Sequence, residues 1–171
     1  MNKELFKLTK EELINYIEDV SKNWLAIDGT WFQQVEKEYG LEKAIEIDVA
    51  QWKRFTVLEA KRIMKRFDIK EKGGIPALMK SLKFRVYANI NEWEFVEVSE
   101  KRCTYRMNNC RVQFARKQRN LPDFPCKPVG LVEYGLFAKT IDPKIKTKCI
   151  CCPPDEHPEE YYCAWEFSIE G

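Results

Sequence analysis

Tyr161-Tyr162-Cys163-Ala164-Trp165-Glu166-Phe167-Ser168-Ile169 alternates Tyr161, Cys163, Trp165, Phe167 and Ile169 with smaller or polar residues, the period of two that marks a half-buried β-strand. Just upstream, Ile145, Thr147, Cys149 and Cys151 alternate with Lys146 and Lys148, so a second strand turns Cys149 and Cys151 away from the lysines. If the two strands pair, Cys149, Cys151 and Cys163 share a face. Further back, Trp93, Phe95, Val96 and Val98 lead into a polar turn at 99–101, after which Cys103, Tyr105 and Met107 alternate with Arg102, Thr104 and Arg106. That pattern predicts a hairpin with one apolar face, and with the last two strands an antiparallel sheet of about four strands.

Toward the N-terminus the period changes to three and four. Thr9-Lys10-Glu11-Glu12 is a capping box ahead of Leu13, Ile14, Ile17, Val20 and Trp24, which predicts a helix over about 10–25. Asp28-Gly29-Thr30-Trp31 reads as an interruption, with a short second helix carrying Trp31, Phe32 and Val35 as far as Gly40. No Gly or Pro occurs from Leu41 to Phe67, and Ile45, Trp52, Phe55, Ile63 and Phe67 mark one long helix. Pro76 opens a further helix with Leu78, Met79 and Leu82. Cys110 to Gln118 reads as helical, Leu121 to Pro128 as a proline-broken loop holding Cys126, and Val129 to Lys139 as a helix. The expected architecture is α+β, with N-terminal helices packed on a C-terminal antiparallel sheet with inserted helices, in a single domain over 1–171.

At 171 residues and 44% hydrophobic content, a domain of this size buries roughly 70% of its unfolded surface. No charged-then-apolar leader and no apolar run of membrane-spanning length occurs, so a cytoplasmic protein is expected. The 29 basic and 27 acidic residues are mixed along the chain, so no single-sign field promotes nucleic-acid binding. Expected partners are a small-molecule ligand and, as a quaternary option, a second copy in a homodimer, with neither nucleic acid nor membrane.

All seven cysteines fall between Cys103 and Cys163. In a reducing compartment an odd number of thiols points to metal ligation, redox chemistry or burial instead of a disulfide framework. Cys149 and Cys152 have the C-x-x-C spacing that brings two thiolates to one ion. Cys110, Cys126 and His157 stand at element boundaries where a side chain can be aimed, and Cys163 is a substitute ligand. Zinc or an iron–sulfur cluster is the expected cofactor, in a structural role; Cys103 and Cys163 are also placed to be plain core residues. Asp48 and Glu59 fall on the apolar stripe of the long helix, about 16 Å apart, too far for a paired acid and base. They either line a pocket or meet an arginine at the core edge. The candidate ligand-binding residues are Asp28, Trp31, Asp48, Trp52 and Gln113. No serine triad or phosphate loop is present, and no catalytic residue is assigned.

The segments Trp24-Leu-Ala-Ile-Asp28-Gly29-Thr-Trp31-Phe32, Asn109-Cys110-Arg111-Val-Gln113, Cys149-Ile-Cys-Cys152-Pro-Pro-Asp155 and Tyr162-Cys163-Ala-Trp165-Glu-Phe167 resemble an uncharacterised family of small prokaryotic cytosolic proteins. That family is similar to the aminothiazoline-carboxylate hydrolase family and, more distantly, to the vinyl-reductase small-molecule-binding domain, with Cys163 and Trp165 as the corresponding pair in the last strand. The resemblance implies helices packed on an antiparallel sheet with a small-molecule pocket between them. It also implies an enzymatic alternative: a metal-assisted amidohydrolase for a small cyclic amide or aminothiazoline carboxylate, built from His157, Cys152 and Asp28 or Asp48. The cysteine loop departs from the hydrolase pattern and shifts the expected role toward metal and ligand binding.

Overall fold

A computed structural model describes residues 2–170 of the chain. Among these residues the order is a 3-10 turn η1 (Lys3–Lys7), α1 (Lys10–Tyr39), α2 (Leu41–Phe67), α3 (Gly74–Leu82), a 3-10 turn η2 (Val86–Asn89), β1 (Glu92–Val96), β2 (Arg102–Asn109), α4 (Arg111–Lys117), α5 (Lys127–Ile141), β3 (Lys146–Cys151) and β4 (Cys163–Ser168). The architecture is α+β, with α1 to α3 first and then one four-stranded sheet of order β1-β2-β4-β3, into which α4 and α5 are inserted between β2 and β3. Every neighbouring pair is antiparallel. Among the described residues, no helix is long and apolar enough to cross a membrane.

The capping box forms as written: Thr9 Oγ1 accepts from Glu12 N, and the Glu12 carboxylate accepts from Thr9 N. The expected break at Asp28-Gly29-Thr30 does not occur, and α1 runs unbroken for 30 residues. Both would-be caps are turned to other partners. Thr30 donates its hydroxyl to the carbonyls of Ala26 and Ile27, and Asp28 accepts from Gln51 Nε2 at 2.9 Å, tying α1 to α2. Trp24 stacks on Phe55 and meets Trp52 edge-on, so tertiary packing carries the helix across its weak tetrapeptide. The chain reverses at Gly40, whose φ of +84° favours glycine.

α5 is the central layer. Tyr134, Phe137 and Ala138 pack in one core with Trp165 and Phe167 of β4 and Ala60, Ile63 and Met64 of α2, while Thr56 Oγ1 donates to the buried carbonyl of Glu133 at 2.8 Å. Gly130 lets helix and sheet approach closely: a Cβ there would lie 2.6 Å from Trp165 Cζ2. The other sheet face is polar, with Arg102 paired to Glu166 and Arg106 over the Tyr161 ring. The last two strands pair as the alternation required, but a bulge intervenes. Cys149 stands opposite Trp165 and Cys151 opposite Ala164, so Cys149 and Cys151 do not share a face, because the extra residue inverts the pleat.

Candidate functional site

A cavity of about 640 Å³ lies between the C-terminal half of α1, α2, η2, α4 and α5, with Cys163 and Trp165 of β4 at its floor. Its exposed rim combines Thr30 and Gln33 of α1 with Arg111 of α4 and Arg119 just after it. The interior is mainly aromatic and apolar, the character of a small-molecule site. Two polar groupings interrupt it, one of sulfur and one of carboxylate.

The sulfur grouping comes from four separate elements. Cys110 caps α4, Cys126 caps α5, Cys152 follows β3 and Cys163 opens β4, and all four line the cavity. Cys126 Sγ and Cys152 Sγ are 3.5 Å apart. The neighbouring thiols of Cys126 and Cys163, followed by burial, push the Cys152 thiol far above the usual range. Burial raises Cys110 to about 12. Cys110 and Cys152 are therefore neutral thiols at physiological pH and poor nucleophiles unless a cation takes the protons' place. Among the described residues, no three His, Cys, Asp or Glu side chains stand as a ready-made metal cage.

Two of the five expected metal ligands fall elsewhere. Cys149 sits outside the cavity near Lys127 and Asp155, with burial raising its thiol to about 11. His157 stays in the surface loop, with Nδ1 2.8 Å from Pro158 O and Nε2 3.2 Å from Asp123 Oδ2. Burial opposes charge on that imidazole, but these two acceptors outweigh it and raise its pKa. His157 is not among the residues that line the cavity. The hydrolytic arrangement built on His157 therefore loses its imidazole, although Cys152, Asp28 and Asp48 line one cavity.

The carboxylates lie at the α2 side. Asp28, Asp48 and Glu133 line the cavity, flanked by Trp52, Tyr87 and Tyr134. Asp48 is buried, and burial followed by repulsion from Asp28 and Glu133 lifts its pKa to about 7. Burial also raises Asp28, against the opposing hydrogen bond from Gln51. Glu133 is raised by burial too, with Arg85 opposing. Beneath the cavity wall Arg85 is enclosed: its Nε donates to Glu59 Oε2 at 2.9 Å, and Nη2 lies 2.6 Å from Glu133 Oε1, an ion pair without hydrogen-bond alignment. Burial disfavours the guanidinium charge, but the two glutamates hold its pKa above the ordinary value. The two inward acids of α2 thus divide, Asp48 to the cavity and Glu59 to an arginine.

Of the expected ligand-binding residues, Asp28, Asp48, Trp52 and Gln113 line the cavity. Trp31 is instead 43% exposed on the outer side of α1, because an unbroken helix rotates it away from Phe32, which does line the cavity. Gln113 is a brace: its Nε2 donates to Phe124 O at 3.0 Å and its Oε1 accepts from Phe124 N at 2.8 Å. This clips the 118–126 loop, and with it Cys126, against α4. Tyr87, Glu133 and Tyr134 were missed in the sequence. Tyr134 lies on the regular apolar face of α5, and nothing local distinguishes it from core.

The model of a family described as a family of unknown function (DUF6125) matches residues 5–169. No curated protein and no solved structure matches the chain.

Proposed function

The chain belongs to the family DUF6125, and from its cavity we propose that it is a small-molecule-binding protein whose pocket is closed at one end by thiolates holding a structural metal ion. The carrying observation is the convergence of Cys110, Cys126, Cys152 and Cys163 from four elements on one enclosed space. Zinc bound by thiolates at about 2.3 Å in a tetrahedron sets sulfur–sulfur separations of about 3.8 Å. The 3.5 Å between Cys126 and Cys152 is close to such an edge. Cys163, already in range to interact with Cys152, and Cys110 would complete the set by side-chain rotation. A four-iron cluster binds each thiolate to a different iron and spreads the sulfurs farther apart, so zinc fits better than that cluster. Filled by four thiolates, zinc keeps no open position for water and serves to brace the loops around the pocket.

The test is elemental analysis of anaerobically purified protein together with cobalt(II) titration. The reading expects about one zinc per chain and a thiolate-to-cobalt charge-transfer band, both lost in Cys126→Ser and Cys152→Ser but retained in Cys149→Ser and His157→Ala. Less than about a tenth of an equivalent of zinc or iron, with no cobalt–thiolate band, would remove the metal.

One observation favours a second, enzymatic reading. A carboxyl group near pKa 7 is suited to general-base work, so Asp48 would replace His157 in hydrolysis of a small cyclic amide or aminothiazoline carboxylate. Turnover abolished by Asp48→Asn but indifferent to His157→Ala would support it. Absence of turnover in zinc-loaded protein on such substrates would count against it.

A further inference from the structure

Resting on the pocket reading above, we propose that the cavity selects a ligand bearing a protonated nitrogen, such as an amidinium or ammonium group, which docks between Asp28 and Asp48 against the Trp52 and Tyr87 rings.

Charge balance carries the inference. Four acids, Asp28, Asp48, Glu59 and Glu133, stand in or just behind the inner wall, and the one cation buried with them among the described residues, Arg85, is committed to Glu59 and Glu133. The basic groups Arg111, Arg116 and Arg119 belong to the α4 side of the mouth; Arg116 Nε is occupied by Pro122 O at 2.7 Å. Asp28 has one oxygen bound by Gln51, and Asp48, 7% exposed, has only the Trp52 indole beside it as a donor among the described residues. A cation placed between them would find an acceptor on α1 and another on α2. The flat rings of Trp52 and Tyr87, 5.8 Å apart and nearly parallel, add aromatic faces of the kind that attract organic cations.

A second observation shows that the interior lacks a partner. Trp165 Nε1 is fully buried at the cavity floor and, among the described residues, has no acceptor. Buried donors of this kind are rarely left unpaired. The cavity therefore has an unpaired donor packed just behind its floor and weakly partnered acceptors on its helical wall, and those acceptors are the complement of a ligand with a cationic nitrogen.

Proton linkage gives the proposal a signature. The titratable groups that act on Asp48 are Asp28 from α1, Tyr87 from η2 and Glu133 from α5, with the Trp52 indole of its own helix as a hydrogen-bond donor. Without ligand, Asp48 is protonated over much of the range below neutrality. A cationic ligand needs the ionised form, so its affinity should rise with pH, by up to about tenfold per unit below the Asp48 midpoint, and level off above it.

The test uses three isosteric probes, benzamidine (cation), benzamide (neutral) and benzoate (anion), titrated calorimetrically into the full chain between about pH 5.5 and 8.5, the window bracketing Asp48. Benzamidine should bind at least about tenfold more tightly than either other probe above pH 7.5 and show the rising pH profile. Asp48→Asn should abolish both the preference and the slope; Asp28→Asn should weaken benzamidine while keeping the slope. Benzamide or benzoate binding as tightly as benzamidine would overturn the charge preference and leave the pocket standing. Failure of all three to bind would overturn the pocket reading with it.

Discussion

Replacing Arg85 by methionine probes the most enclosed electrostatic feature of the fold. The guanidinium side chain is 3% exposed, those of Glu59 and Glu133 are 9% and 10% exposed, and the Phe137, Tyr134 and Trp52 rings lie 4.9, 5.4 and 5.9 Å from its central carbon. Removing the cation strands two carboxylates between α2 and α5, and breaking a buried pair in this way costs about 3–5 kcal/mol. For a chain of this length each kcal/mol moves the melting midpoint by about 2–4 °C, so Arg85→Met should melt about 6–20 °C lower at pH 8. The deficit should shrink as pH falls, because protonation removes the stranded charges. Arg85→Met with Glu59→Gln and Glu133→Gln should recover most of the loss even at pH 8. The assay is thermal and urea unfolding followed by circular dichroism across pH 5 to 8. A deficit under about 1 kcal/mol, or one independent of pH, would refute the view that this triad is closed to solvent.

Asp48→Asn gives the opposite sign. The folded-state pKa is raised from an ordinary 3.8 to about 7, so its contribution to stability is full below pH 4 and lost as pH climbs through 7. The variant should match the parent at pH 4 and exceed it by a few kcal/mol at pH 8 in the same unfolding assay. Gly130→Ala should destabilise by about 1–2 kcal/mol despite its better helix propensity, since the new methyl meets a Trp165 ring that has no room to move. Gln113→Ala should free the 118–126 loop, which hydrogen exchange at Phe124 N would report as protection lost.

Regular periodicity made most of the fold legible. The strand pattern at 161–169 and the run from Leu41 to Phe67 translate almost residue for residue into β4 and α2. The failures share a cause: partners distant in sequence. Asp28-Gly29-Thr30 looks like a helix break until Gln51 and the Trp24–Phe55 stack are known. Cys149 looks like the leading half of a ligand pair, but the bulge after it leaves only Cys152 at the cavity. Arg85 and Glu133 have no shared local motif; folding alone joins them. The thiol convergence was partly readable because Cys110, Cys126 and Cys152 all sit at element ends, whereas Cys163 could be read equally as core.

Whether the space between α1, α2, α5 and β4 is where a small molecule goes can be read from the indole N–H signals of the five tryptophans in a ¹⁵N-labelled sample titrated with benzamidine and then benzamide. Trp52 and Trp165 line the cavity, whereas Trp31 and Trp93 lie outside it. The account expects the Trp52 and Trp165 resonances to shift, Trp52 most, with Trp31 and Trp93 unmoved. Shifts confined to Trp31 or Trp93, with Trp52 and Trp165 unchanged at saturation, would contradict it.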